Sequence, residues 1–325
     1  MTGICGDFRL KKQIQLIFAI MDDKPKIFVV AGPTASGKTS LAIKLACLFD
    51  GEIVNADSMQ VYRGMDIGTA KPSMEEREGV IHHMFDVADP DEDFNASLYK
   101  IMGRKIIDNI IERNKICIVA GGSGFYIKAL TKGLHNAPQA EPELREKLCQ
   151  EWSRNPEYLY KRLVDIDPKS AFFIHPNDRA RIVRYLEIFY ITGCKPSVLS
   201  EEHRFSDCPY DVFFSALTLP REQLYDKIDK RCERMLVQGL IDETAALAEK
   251  YGSEIKPMNS IGYKHAYNYI SGSLSLEDMI LYFKRDTRHY AKRQITWFKA
   301  DKNVRWFNSD ETDNIVDLAV KFFRN

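Results

Sequence analysis

The stretch Lys26-Ile27-Phe28-Val29-Val30-Ala31-Gly32-Pro33-Thr34-Ala35-Ser36-Gly37-Lys38-Thr39 decides the fold. Its first half is a short apolar run ending in glycine, the form of a strand buried on both faces of a parallel sheet. Its second half, Gly32–Thr39, satisfies G-x-x-x-x-G-K-[ST]. Leu41, Leu45 and Leu48 then fall on one face of a predicted helix, Lys38–Phe49. In a strand–loop–helix setting the glycines let the backbone turn its amides inward, and the helix N-terminus adds positive potential. Lys38 reaches a phosphate oxygen, and the Thr39 hydroxyl is offered to Mg²⁺. The loop alone does not name the molecule that carries the phosphates, so a nucleotide kinase, an ATPase and a transferase all stay open.

Working outward, Glu52–Asp57 reads as a second strand, and Asn95 caps a helix running to Arg113 that carries Leu98, Ile101, Ile106 and Ile110. Lys115–Gly122 is another buried strand. It ends in Gly121-Gly122-Ser123 rather than in the acidic residue that many ATPases place there. This alternation predicts an α/β fold: a P-loop-type, mostly parallel sheet flanked by helices. From about Leu130 to Ser206 the pattern becomes helical, with one helix starting near Pro142 and another running from Asn177 to Gly193. Val212–Leu219 returns to strand character. After it come a long helix from Glu222 to about Tyr251, interrupted at Gly239, and a helix from Leu276 to Lys299 with Ser275 and Asp278 as a capping box. The expected organisation is an appendage over residues 1–25, a core over 26–129 and 207–325, and an inserted helical domain over 130–206.

Composition narrows the field. The chain has 325 residues, 46 Lys+Arg against 46 Asp+Glu, 45% hydrophobic and 28% charged residues. That balance excludes a disordered chain and a highly basic nucleic-acid coat, so any polyanion must be held by a local basic patch. The longest apolar run, Ile14–Met21, falls short of a membrane span and lacks a cleavage site after it, so no membrane partner is expected. Seven scattered cysteines without C-x-x-C spacing argue against a disulfide framework or a zinc site, and fit a cytoplasmic protein. His82, His83 and His175 show no metal-ligand spacing.

A second set of blocks carries a resemblance. They are Asn55-Ala56-Asp57-Ser58-Met59-Gln60-Val61-Tyr62-Arg63-Gly64-Met65-Asp66-Ile67-Gly68-Thr69-Ala70-Lys71-Pro72, the Gly121–Leu130 stretch, Ile174–Ile188, Ile261–Lys264 and Ala291–Phe298. In this order, with the phosphate loop, they resemble the tRNA dimethylallyltransferases, also called tRNA isopentenyltransferases. Many relatives carry Arg where Met59 stands and Thr where Ser123 stands, a departure in substrate-contact detail.

The resemblance implies transfer of a dimethylallyl group from dimethylallyl diphosphate to the exocyclic amine of the adenosine 3′ of the anticodon, by a cytoplasmic, Mg²⁺-using monomer. Under it, the loop Gly32-Pro33-Thr34-Ala35-Ser36-Gly37-Lys38-Thr39 holds the diphosphate leaving group, and Arg221 grips the same group. Asp57 is the general base, with Thr34 helping to orient it. The inserted domain binds the tRNA anticodon stem-loop. Implied tRNA contacts are Asp57-Ser58-Met59-Gln60, Ser123, Arg145, Ala180-Arg181-Ile182-Val183-Arg184, Asn259-Ser260-Ile261-Gly262-Tyr263-Lys264 and Lys292-Arg293-Gln294-Ile295-Thr296-Trp297-Phe298-Lys299. On the last helix Lys284, Arg288 and Lys292 recur at i, i+4 and i+8 and are expected to form a phosphate-binding side, while Phe283, Tyr290 and Trp297 form a core-facing stripe. Two other readings remain: a small-molecule kinase with a helical lid, and a nucleotide-dependent RNA-binding switch. Neither explains the Asn55–Pro72 block.

Overall fold

The computed structural model describes residues 24–134, 137–203 and 205–324, so almost all of the expected N-terminal appendage, including Ile14–Met21 and Cys5, lies outside the described residues. Six strands, all paired in parallel, form one sheet in the order β3-β2-β4-β1-β5-β6. The strands are β1 (Lys26–Ala31), β2 (Glu52–Asn55), β3 (His82–His83), β4 (Cys117–Gly121), β5 (Asp211–Thr218) and β6 (Arg305–Asn308). β1 lies between β4 and β5, with Val29 opposite Val119 on one side and Phe214 on the other. Its core residues Ile27 to Ala31 are at most 1% exposed, as a strand with neighbours on both edges and helices on both faces requires.

The sheet is covered by two clusters. One face packs on α1 (Lys38–Phe49) and α13 (Thr312–Arg324), through residues such as Leu41, Leu45, Phe49, Ile315 and Phe323. The other packs on α2 (Ala96–Glu112) and α3 (Gly124–Lys132), together with the later helices α9 (Arg221–Val237), α10 (Leu240–Tyr251), α11 (Tyr263–Ile270) and α12 (Leu276–Lys299). The expected break in the long helix is real: Gly239 sits at φ 102° between α9 and α10. Asn95 caps α2 by accepting from the Ser97 and Leu98 amides, and Ser275 caps α12. Only some of the apolar residues along α2 lie on its buried face. Tyr99, Gly103, Ile107 and Ile110 point inward, while Leu98 and Ile101 are exposed. The helix is rotated so that Tyr99 can donate its hydroxyl to the Asn55 carbonyl at 2.9 Å, which anchors the end of β2.

The chain separates into two compact units, one combining the described residues up to Thr131 with those from Pro209 onward, the other Lys132–Cys208. The second unit is all helical among its described residues: α4 (Pro142–Arg154), α5 (Pro156–Ile166), α6 (Pro168–Phe172), α7 (Arg179–Thr192) and α8 (Pro196–His203). Its core is Leu148, Leu159, Leu163, Ile174, Ile182, Val183 and Leu186. Beside that core lies Glu187, a fully buried carboxylate. It accepts from Arg145 at 2.7 Å, from Arg184 at 2.5 Å and from the Glu141 amide at 3.2 Å. A buried carboxylate is tolerated when it is paired and hydrogen-bonded in this way. No helix among the described residues is long and apolar enough to cross a membrane.

Candidate active site

The β1–α1 loop has the geometry its sequence requires. Gly32 at φ 144° could not carry a side chain, since a Cβ there would lie 2.9 Å from the Leu217 carbonyl oxygen of neighbouring β5 and 2.9 Å from Ser36 Oγ. Ser36 is 1% exposed and its hydroxyl has no hydrogen-bond partner among the described residues. Lys38 folds back to donate to the Pro33 carbonyl at 3.2 Å. From the opposite side Gln294 of α12, itself buried, accepts the Thr34 N–H at 2.9 Å and donates to the Gly122 carbonyl at 3.0 Å. A Cβ on Gly122 would lie 2.2 Å from that amide nitrogen. The glycines that replace an acidic residue at the end of β4 therefore make room for a side chain that braces the phosphate loop.

Asp57 follows the end of β2. Asn55 Oδ1 accepts the Asp57 N–H at 3.1 Å, and Asn55 Nδ2 donates to the Asp57 and Met84 carbonyls. The carboxylate then accepts the Met59 N–H at 2.9 Å, a turn that fixes its orientation. Ser58 is held in turn by Ser123, whose Oγ accepts the Ser58 amide at 3.0 Å.

A cavity of about 430 Å³ joins these parts. Thr34, Lys38, Thr39 and Asp57 line it, as do Ser58, Met59 and Gln60 from the turn, Asn259, Ser260, Ile261 and Lys264 from the segment before and into α11, and Arg293 and Gln294 from α12. Its apolar wall includes Ala42, Ile53, Phe85, Met235 and Phe283. An adjoining groove of about 880 Å³ shares Lys38, Thr39 and Arg231 with it.

Lys38 has its pKa lowered to about 8, first by loss of water around the ammonium and second by the Arg231 charge, with Asp57 opposing both. Burial likewise lowers Arg231, again opposed by Asp57. Two cations held near each other and near a single carboxylate in a cavity form an anion-binding end. Thr39 adds a hard oxygen donor on the cavity wall, and Ser36 a buried hydroxyl in the loop. These groups fit Mg²⁺ held jointly by Thr39 and phosphate oxygens, the usual manner for this ion. Among the described residues no group of three or more His, Cys, Asp or Glu is arranged to hold a metal without such a ligand.

Several expectations need correction. Arg221 opens α9, is exposed, lies over the Tyr225 ring and is not among the cavity-lining residues. The arginine that α9 delivers to the cavity is Arg231, and the sequence held a signal for it. Leu224, Ile228, Cys232 and Met235 mark the inward stripe of α9, and Arg231, seven residues after Leu224, falls inside it. Ile182, Val183, Tyr263 and Phe298 are at most 4% exposed, so their side chains hold cores. Arg145 and Arg184 are engaged by Glu187, whereas Arg181 remains at the surface, paired with Asp178 at 2.6 Å. On α12, Lys284 pairs with Glu233 and Arg288 with Asp229 of α9, which neutralises two positions of the expected phosphate-binding side. Lys292, Arg293, Thr296 and Lys299 stay exposed. The aromatic stripe divides: Phe283 is buried and, like Tyr290, lines the cavity, whereas Trp297 is 47% exposed and meets Phe125 edge to face.

Comparison with known proteins fits this geometry. A family model described as IPP transferase matches residues 60–301. The tRNA dimethylallyltransferase of Desulfatibacillum aliphaticivorans is 49% identical over 295 residues, covering 90% of this chain and 96% of the relative. That of Geobacter sulfurreducens is 44% identical over 303 residues, covering 92% and 97%. The crystal structure of the full-length tRNA isopentenylpyrophosphate transferase from Bacillus halodurans superposes with a TM-score of 0.70 at 36% identity, over 92% of this chain and 97% of that one. A eukaryotic dimethylallyltransferase acting on tRNA gives 0.78 at 32% identity, over 91% and 78%. With a family model spanning most of its length and relatives matched almost end to end, the chain belongs to the IPP transferase family, among the tRNA dimethylallyltransferases.

Proposed function

We propose that the protein transfers a dimethylallyl group from dimethylallyl diphosphate to the exocyclic amine of the adenosine 3′ of the anticodon in tRNA, releasing diphosphate, as a monomer in the cytoplasm. The observation that carries this reading is that one cavity joins a cationic end, an apolar wall and a fixed carboxylate. Lys38 and Arg231 supply the cationic end, Met235, Phe85 and Phe283 belong to the wall, and Asp57 is the carboxylate. The diphosphate head needs the first of these, as any phosphate-bearing substrate does. An allylic diphosphate needs both, because its five-carbon tail must be kept out of water while its head is held.

The carbon–oxygen bond to diphosphate breaks and a carbon–nitrogen bond to the adenine amine forms. Negative charge grows on the departing diphosphate, where the loop amides, Lys38 and Arg231 stabilise it; removing one such preorganised donor typically costs about 10²–10³ in rate. Thr39 is the residue that would hold Mg²⁺, and the ion would add charge neutralisation at the leaving group. The amine is a weak nucleophile because its lone pair is shared with the ring, and its proton passes to Asp57 as the new bond forms, a contribution of about 10²–10⁴. A target base must leave its stack to enter such a cavity. Gln60, the Asn259–Lys264 segment, Arg293 and the exposed Trp297 are assigned to the RNA side, with Arg181 contributing from the helical unit.

The test is incubation with tRNA and labelled dimethylallyl diphosphate, with ATP in parallel. Label entering tRNA supports the transfer, and turnover of ATP without labelled tRNA refutes it. Asp57→Asn is expected to bind both substrates and lose turnover by about 10²–10⁴ in single-turnover measurements; wild-type chemistry in that variant removes Asp57 as the base.

A further inference from the structure

The loop that follows the Asp57 turn forms part of the cavity wall through Gly68, Thr69 and Ala70. Three consecutive amides of this loop converge on one carboxylate. Glu243 of α10 accepts from Asp66 N–H at 3.1 Å, Ile67 N–H at 2.8 Å and Gly68 N–H at 3.0 Å. Successive N–H groups aimed at one point make a concavity that favours an anion, and here the anion is a side chain of the protein itself.

A fourth donor completes the arrangement. The Tyr263 hydroxyl lies 2.5 Å from Glu243 Oε1, and the Tyr263 side chain is fully buried at the start of α11. Burial, reinforced by the Glu243 charge, pushes the Tyr263 pKa far above its ordinary value, so the hydroxyl remains a donor. Tyr263 lies two residues after the cavity-lining segment Asn259–Ile261 and directly before the cavity-lining Lys264. The two wall segments also touch, since a Cβ on Gly68 would lie 2.5 Å from the Tyr263 ring. On the other side of the loop, Gln60 donates to the Thr69 and Ala70 carbonyls, each at 3.1 Å. Glu243 itself is not among the cavity-lining residues.

We infer that Glu243 is a positioning residue for the acceptor side of the cavity: by clamping Asp66–Gly68 against Tyr263 it holds Gln60 and the Asn259–Ile261 segment in place for tRNA. This rests on the reading above that these residues face the RNA. Both carboxylate oxygens are needed. Oε2 serves Asp66 and Ile67, whereas Oε1 serves Gly68 and Tyr263. A glutamine satisfies one pair and turns its own NH₂ toward the donors of the other.

The experiment measures kcat and KM for each substrate, with the thermal midpoint alongside, in Glu243→Gln, Glu243→Asp and Tyr263→Phe. Glu243→Gln is expected to raise the KM for tRNA about tenfold or more, with the KM for dimethylallyl diphosphate within about twofold of wild type. Glu243→Asp, which keeps the charge, should recover part of that loss, and Tyr263→Phe should show a smaller change in the same direction. Equal changes in both KM values, no change in either, or no recovery with aspartate overturns the inference. If Glu243→Gln does not fold, Tyr263→Phe decides by the same split. A wild-type protein that fails to label tRNA refutes the proposed reaction; a wild type that labels tRNA, with variants showing no split, refutes only the role of Glu243.

Discussion

Donor binding should weaken as pH rises through about 8, because Lys38 loses its proton there in the free protein. The ordinary lysine value is 10.5, and the fall to about 8 corresponds to about 3 kcal/mol of disfavoured charge. The sign for stability follows from proton counting. Between about 8 and 10.5 the unfolded chain holds more protons at this group than the folded chain, so the contribution to stability rises with pH across that window. At pH 7 the charged ammonium is therefore a cost to the free fold, and it derives first from burial and second from the Arg231 charge. A bound diphosphate supplies an anion and lifts the Lys38 pKa back up. Binding then takes up a proton above pH 8, and affinity drops by up to about 30-fold between pH 7 and pH 9.5.

The assay is titration with inorganic pyrophosphate and with a non-reactive thio analogue of dimethylallyl diphosphate, over that pH range at constant ionic strength. The Cys232 thiol on the same wall is pushed up to about 11 by burial and so stays protonated throughout. Lys38→Arg keeps the charge and does not titrate, so its affinity should be lower at pH 7 and flat with pH. In Arg231→Gln the second cause of the lowering is removed, and the midpoint should move upward even though affinity falls. A flat profile in the wild type refutes the reasoning, as does a limb that persists unchanged in Lys38→Arg.

The two arginines of α9 should behave differently: Arg231→Ala raises the KM for the donor by about tenfold or more, while Arg221→Ala, at the exposed start of the helix, leaves it unchanged. Steady-state kinetics with varied donor distinguishes them, and the opposite ranking restores Arg221 as the diphosphate residue. At the N-terminal end of β2, Glu52 is 1% exposed and accepts from Arg113 at 2.5 and 2.7 Å and from His83 at 2.7 Å. The Arg113 hydrogen bonds, opposed by burial and helped by His83, hold its pKa at about 2 against an ordinary 4.5. A depressed carboxylate stabilises the fold above 4.5, and that stabilisation is lost as pH falls toward 2. Arg113→Met should lower the thermal midpoint at pH 7 and much less near pH 2.5; a deficit independent of pH contradicts the pairing.

The fold was legible because its signals are local. The apolar run of β1, the phosphate-loop spacing, the Asn95 cap and the Gly239 break each depend on a few neighbouring residues, and each appears where the sequence puts it. Which side of a helix faces inward was less legible. For α2, Leu98 and Ile101 match a helical spacing as well as Ile107 and Ile110 do. What selects between them is a long-range contact, Tyr99 to the Asn55 carbonyl, which no window of sequence contains. The basic side of α12 failed for a similar reason: the partners that neutralise Lys284 and Arg288 sit on α9, more than fifty residues away.

Gln294 and Arg231 show what this implies for the site. Both are polar residues set within the inward faces of amphipathic helices, and on those helices an apolar side chain would have packed more cheaply. One braces the phosphate loop through its backbone, and the other brings a cation to the cavity. Neither belongs to the phosphate-loop motif; Gln294 lies in the Ala291–Phe298 block, where the resemblance implied a tRNA contact rather than a brace for the loop, and no motif covers Arg231. A charged or amide side chain interrupting an apolar stripe is therefore the sequence feature that deserved a site assignment, whereas an arginine at the exposed first position of a helix did not. The same criterion separates Glu187 from Arg181 in the helical unit: the buried acid is a structural hub for two arginines, whereas Arg181 lies at the surface, paired with Asp178.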